Sequence, residues 1–417
     1  MKKRMSQYLS TAVKTAILTA SLAGFQSSAW ASDEGTTLTV LNSQWLDALR
    51  GESLWGAVKQ FEATEPGVTL EREMISSSEM YTKMMTQLAG GQGADLLILQ
   101  DGLFYSAASA GFLEDISAAL QGAEGLNDTN DNGVVNGQRL GIAWQRAPYA
   151  MIYNKTLADE SGVTAPKTVK ELITAAKTVH DKQGVIGFTA RHRMADVSTW
   201  AMDFQNWAFG YGVNWVNADG ELTINTPEAV KAVEAFKELY DADVIPKGDD
   251  FPTQRTRFKQ QQVAFSIDNS GGTLNIANGG ELKSQNLAAA LLPFPHPGAH
   301  QQLFIALNAK SEHKEEAIAF LKWLISKPGQ QALRQASGPD SLATDVPVTE
   351  EFLAANPWAK AFAEAGQHSR STLIPGYENE TPAIMRMVMG AVEKVILADE
   401  DAEKALATAQ KRIAMKY

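Results

Sequence analysis

Three apolar runs in this sequence end in polar clusters: Thr37–Leu41 leads into Asn42-Ser43-Gln44-Trp45, Ala94–Leu99 into Gln100-Asp101, and Val263–Ile267 into Asp268-Asn269-Ser270-Gly271. Each run has the length and flanks of a buried strand. In open parallel sheets, ligands bind beyond the carboxyl ends of the strands. Planar amides, carboxylates and hydroxyls gathered there can donate and accept in pairs, and an aromatic ring can cover a C–H face. That combination suits a hydroxyl-rich molecule. Gln44, Trp45, Gln100, Asp101, Asp268, Asn269, Ser270 and Gly271 are therefore candidate binding residues. Asp101 leads them, although it also stands where a helix N-cap would. Ser270-Gly271-Gly272 opens a helix, whose first backbone N–H groups are free to face a ligand.

Other residues carry weaker signals. Arg191-His192-Arg193 follows the apolar Val185–Phe188 in an otherwise acidic chain. An arginine there can fork onto vicinal hydroxyls or an anion, or pair with local acids. Trp200, Phe204, Trp207, Phe209 and Tyr211 fall at helical spacings that suit a core, with one ring, Trp200, as the candidate for a cleft. Arg146 and Tyr149 lie beside Pro148 in an extended stretch. Asp128–Gly133 matches the first half of a calcium loop, but its twelfth position is Arg139 where a bidentate Glu belongs, so it reads as a chain of Asx turns. His296 and His300 flank a Pro-Gly turn and predict no metal site. No G-x-S-x-G, H-E-x-x-H or G-x(4)-G-K-[ST] occurs. The expectation is a non-enzyme without cofactor or metal. The rival is a glycosidase, which needs only two carboxylates meeting across a cleft.

The elements that must position these residues alternate. Strand patterns at 37–41, 68–74 and 94–99 are separated by helical patterns, 51–63 and one capped by Ser78 and running to Leu88, which predicts βαβ units and a parallel sheet. The stretch 140–153 predicts two successive strands around Pro148. Helices are expected at 168–182, 197–211, 227–241, 314–335, 381–398 and 402–415, with strands at 263–267, 287–292 and 303–307. A βαβ block followed by a helix-rich block predicts two lobes.

Composition bounds the rest. The 417 residues suffice for two or three domains, with 44% hydrophobic and 20% charged residues. Lys2, Lys3 and Arg4 precede an apolar run, Thr15–Phe25, and then Ala29-Trp30-Ala31, which is the layout of a cleaved signal peptide over residues 1–31. The chain has no cysteine, so neither disulfides nor a lipidated cysteine are available. Of 37 basic residues the signal holds four, which leaves 33 against 48 acidic ones, or −15. Such a charge disfavours nucleic acid and anionic membranes.

The signal together with TLTVLNSQW, FEATEPGVTL, GADLLILQDG, APYAMIYNKTL, FKQQQVAFSIDNSGG, KTVKELITAAKTVHDKQGVIGF and HKEEAIAFLKWLISKPGQQALRQASG resembles the sugar-binding extracellular solute-binding proteins, the periplasmic components of ABC importers. The resemblance covers nearly the whole chain after the signal. It implies a two-lobed α/β fold of the type II periplasmic-binding class, each lobe a sheet flanked by helices. The lobes expected are 32–146 with 300–342, and 147–299 with 343–417, with crossings near 145–148, 293–303 and 337–346. It also implies a monomer in the periplasm that closes over a mono- or oligosaccharide and delivers it to ABC transporter permease subunits. A polyol, sugar acid, glycerol phosphate or polyamine fits the same scaffold. Pro375–Asn379 matches the family's late loop that sets an aromatic ring on the solute, which adds Tyr377 and Asn379 to the candidates. Maltose-binding members carry tryptophans where this chain has Gly271 and Thr273, which weakens the case for a malto-oligosaccharide.

Overall fold

The computed structural model of the protein describes residues 35–249 and 251–417. The expected signal peptide lies outside the described residues. Among them are strands β1 (Thr36–Leu41), β2 (Val68–Glu73), β3 (Leu96–Gln100), the short hairpin β4 (Val134–Val135) and β5 (Gln138–Arg139), β6 (Ile142–Asn154), β7 (Ile186–Thr189), β8 (Val263–Asn269), β9 (Leu287–Ala290), β10 (Ala299–Leu307) and β11 (Arg370–Ser371). Nine of these form one sheet in the order β2-β1-β3-β10-β6-β8-β7, with β9 beside β6 and β11 beside β10.

The first three strands are parallel, as the alternation of strand and helix predicts. The helices Ala48–Val58 and Ser77–Ala89 make the crossovers. The second is capped by Ser76, two residues before the expected Ser78. β1 and β3 have almost no exposed side chains because helices cover both faces, so they read as unbroken apolar runs.

One expectation fails at 140–153. The chain forms a single strand of 13 residues, not two. Pro148 is tolerated because β6 changes neighbours there: it pairs antiparallel with β10 up to Pro148, then with β8 from Tyr149 to Tyr153 and with β9 from Met151. The expected helix 314–335 is two, Lys314–Ile325 and Lys327–Ser337. Pro328 stops the first, Ser326 Oγ caps the second by accepting from Gly329 N, and a Cβ at Gly329 would come within 2.2 Å of the Trp323 carbonyl.

The helix Val169–Gln183 shows why local sequence suffices elsewhere. Thr168 accepts from Glu171 N, Glu171 answers by accepting from Lys167 N, and Gly184 at φ +69° ends it in the left-handed region. Its buried residues Val169, Leu172, Ala175, Ala176 and Val179 make one stripe.

The core is divided. Buried residues from Leu38 to Trp144, with Leu303 to Ala343, pack on either side of β1, β3 and the second half of β10. A second pair of clusters runs from Tyr149 to Ala299 and from Trp358 to Ile413. Leu373 crosses this division and inserts beside Leu41 and Leu99. The protein thus has a two-lobed α/β architecture in which β6 and β10 are shared.

Candidate functional site

The carboxyl ends of β1 and β3 and those of β7 and β8 meet where the two cores adjoin. On the N-terminal side, Gln100 ends β3 and caps the helix Asp101–Ser109 through its backbone. Its side-chain amide has no partner among the described residues and lines a small cavity with Ser43, Leu103 and Leu303. Asp101 is 5% exposed. One carboxylate oxygen accepts from Gly102 N at 2.8 Å and the other from Thr372 Oγ1 at 3.2 Å, a contact across the crevice. Burial pushes its carboxyl up to about 6, against the two hydrogen bonds.

The C-terminal side is built from charges that answer one another. Asp268 takes a bidentate Arg255, Nε and Nη2 each at 2.7 Å. Arg191 donates to Asp203 at 2.6 Å and stands 3.7 Å from Asp268. Burial works against the Asp268 carboxylate, but the two arginines outweigh it and hold its pKa below the usual range. Asp203, with less help, is pushed up to about 7 by burial. Burial, helped by the charges of Asp203 and Asp268, pushes the Tyr149 hydroxyl up to about 12, against the opposing pull of Arg191 and a hydrogen bond with Asn269. Asn269 caps the helix Ser270–Asn278 by accepting from Gly272 N, and donates to Gln301 at 2.9 Å.

A third group bridges the two. Gln44 accepts from Trp144 Nε1 and donates to Gln145, both at 2.9 Å. Arg50 donates to Gln145 at 3.1 Å and to Asp340 at 3.4 Å, while Ser270 donates to the other oxygen of Asp340. Gly271 leaves room for this arginine, since a Cβ there would lie 2.6 Å from Arg50 Nη2.

Several sequence candidates sit elsewhere. Trp45 belongs to the N-terminal core, its indole N–H on the Val40 carbonyl and its ring against Trp55 and Trp144. Trp200 is fully buried against Phe236 and offers no wall to the crevice. Arg191 stays on the C-terminal wall, where it pairs with the local acids Asp203 and Asp268. His192 Nε2 accepts from Gly248 N, and the ring packs on Tyr240. Arg146 is bound to Asp128 at 3.0 Å, so a guanidinium engages the loop that resembled a calcium site. The Asx reading of that loop fits: Asn127 accepts from Thr129 N, and Arg139 donates to the Asn130 carbonyl. Tyr377 is half-buried against the C-terminal core and Asn379 is exposed. Their loop comes close to the crevice through Glu378, whose charge acts on the Tyr105 hydroxyl.

Sequence reading missed Arg50, Gln145, Asp203, Arg255, Asp340 and Thr372. Only Arg50 carried a signal, a lone cation among the apolar positions of a helix. The others are ordinary polar residues until the fold brings them together.

A family model described as bacterial extracellular solute-binding protein matches residues 47–331, well over half of the chain. A putative binding protein of Brucella abortus (strain 2308) is 24% identical over 297 residues, spanning 67% of this chain and 70% of the relative. Among solved structures, maltose-bound MalE3 of T. maritima has a TM-score of 0.79 at 21% identity, covering 92% of this chain and 100% of that one. The GacH receptor of Streptomyces glaucescens GLA.O, solved without ligand and with acarbose, has a TM-score of 0.80 at 20% identity over 91% and 98%. The two likenesses share the fold, and the family match places this chain: it belongs to the bacterial extracellular solute-binding proteins.

Proposed function

We propose that the protein captures a neutral, hydroxyl-rich solute, a mono- or oligosaccharide or a polyol, in the crevice between its lobes. It does so in the periplasm and delivers the solute to the permease subunits of an ABC transporter. The lobes are 32–146 with 300–342 and 147–299 with 343–417; the division of the hydrophobic core follows these bounds except at Ala343 and Leu373, which pack with the first lobe. One observation carries the choice of solute. The charges lining the C-terminal side are spent on one another, Arg255 and Arg191 on Asp268 and Asp203, while Gln100 and Asp101 face them with groups suited to hydroxyls. An anionic solute would need an unspent cation and a polyamine an unspent cluster of acids. The maltose and acarbose held by MalE3 and GacH are both hydroxyl-rich, which supports the same class.

Capture is hinge closure. A solute touching both lobes favours the closed arrangement by the difference in its affinity for the two states. Asp101 is the group that couples the sides, because its carboxylate already reaches Thr372 across the crevice. Thermal unfolding against a panel of sugars, polyols, sugar acids, glycerol phosphates and polyamines tests the reading. A ligand at about 100 times its Kd adds about 2.7 kcal/mol, a shift of several degrees. Related sugars or polyols should stabilise the protein, and Asp101→Ala should weaken them about 10- to 100-fold by removing a charge-assisted hydrogen bond. Stabilisation by anions or polyamines alone overturns the choice of solute.

A further inference from the structure

A second concavity lies on the C-terminal lobe, where the helix Val197–Gly210 ends. It has a volume of about 690 Å³ and is open to solvent. That falls within the rough 300–1,000 Å³ range of small-molecule sites. None of its lining residues belongs to the crevice. The Arg191–Asp203 pair sits on the same helix, but Tyr211 is eight residues beyond Asp203, roughly 12 Å along the axis.

The frame of this concavity is fixed by its own hydrogen bonds. Asn217 Oδ1 accepts from Asp219 N and Glu221 N, closing a turn. Thr223 donates to the Asn214 carbonyl, and Thr226 caps the helix Pro227–Asp241. Gly212 forms part of the lining at φ +89°, a conformation that favours glycine. A Cβ there would stand 3.4 Å from His296 Nε2 and 3.8 Å from Glu228, so the glycine keeps the space between them clear.

The remaining polar groups are uncommitted. The Tyr211 hydroxyl, the His296 imidazole, the Glu228 carboxylate and the Lys231 ammonium make no side-chain hydrogen bond or ion pair among the described residues. Glu228 and Lys231 are three apart on one helix and yet do not pair. We propose that this concavity is a second carbohydrate-binding site, distinct from the crevice and independent of the solute held there. Tyr211, braced against Phe294 at 6.0 Å, offers a ring for a sugar's C–H face. Lys231 donates, Glu228 accepts, and His296 and the Tyr211 hydroxyl do either, matching the two-way character of sugar hydroxyls. Opposite charges side by side favour a neutral glycan unit over an anion, which would meet Glu228, or a polyamine, which would meet Lys231.

Amide-resolved NMR titration with maltose, cellobiose and chitobiose distinguishes the sites. The expected result is a set of shifts at Gly212, Asn214 and His296 with at least one of these sugars. His296→Ala and Lys231→Ala, both at exposed positions, should each weaken that titration about threefold or more, as expected for one lost hydrogen bond. Tyr211→Ala should weaken it further. Asp101→Ala should leave it unchanged while weakening the titration around Gln100 about 10- to 100-fold, so the crevice reading and this one fail separately. Absence of shifts at those amides with all three sugars, far above concentrations that saturate the crevice, overturns the proposal. So does a titration that survives unchanged in the three site variants.

Discussion

The two sides of the crevice are made on opposite principles. On the N-terminal side, few polar groups are present and some are uncommitted among the described residues: there Gln100 has no side-chain partner, and Asp101 is held by two hydrogen bonds without a cation. On the C-terminal side, Asp203, Asp268, Arg191 and Arg255 are locked in buried pairs, with Tyr149 and Asn269 against them. A buried carboxylate without a cation remains costly and responsive to what approaches it, whereas Asp268, between two arginines, is held ionised; Asp203, with one arginine, is still pushed up by burial. The contrast fits the proposed division between a side that recognises the solute and a side that keeps its shape.

The largest expected effect breaks the C-terminal side. Asp268→Ala leaves two guanidiniums without their shared carboxylate and should cost about 3–5 kcal/mol in urea unfolding. A cost below about 1 kcal/mol, typical of exposed pairs, would show that this pairing does not hold the wall.

Asp101→Asn tests the other side through pH. The carboxyl moves from 3.8 to about 6 on folding because burial favours its protonated form. A raised pKa means the folded state binds the proton more tightly. The contribution is therefore fully present below about pH 4 and lost as the pH rises through 6. Asparagine keeps one acceptor, for Gly102 N, presents its NH2 to the Thr372 hydroxyl oxygen as a donor, and carries no charge. Relative to the native protein, the variant should gain on the order of 2–3 kcal/mol between pH 4 and pH 7.5. Urea midpoints across that range that move in parallel for both proteins would contradict the account.

The smallest effect is at the bridge. Gly271→Ala places a Cβ against the end of Arg50, a flexible side chain that can give way. It should cost about 1 kcal/mol and leave solute affinity within about threefold, as for modest overpacking. A larger loss of affinity in calorimetry would make the Arg50 contact part of recognition.

Much of the fold was legible because local signals agreed with it. The runs at 37–41 and 94–99 were strands, and the Thr168–Glu171 capping box with Gly184 fixed both ends of a helix. The break at Ser326-Lys327-Pro328 was also written in the sequence, but the helical spacing on either side hid it. The single strand 142–154 was not legible. Pro148 ends a strand unless neighbours on both edges change at that residue, and those neighbours come from residues far along the chain.

The site divides in the same way. Sequence alone placed amides and carboxylates at the ends of buried strands, because apolar runs and the residues that end them are local. It thereby put Gln100, Asp101 and Asp268–Gly271 at strand ends, where the structure has them, and pointed to the solute-binding family. Only the tertiary structure decided which of them are free to act. Arg191 finds Asp203 twelve residues away, Asp101 finds Thr372 at a separation of 271, and Arg50 finds Asp340 at 290. A charge's role depends on whether it is paired and dry, and both conditions are set by what the fold brings within a few ångströms.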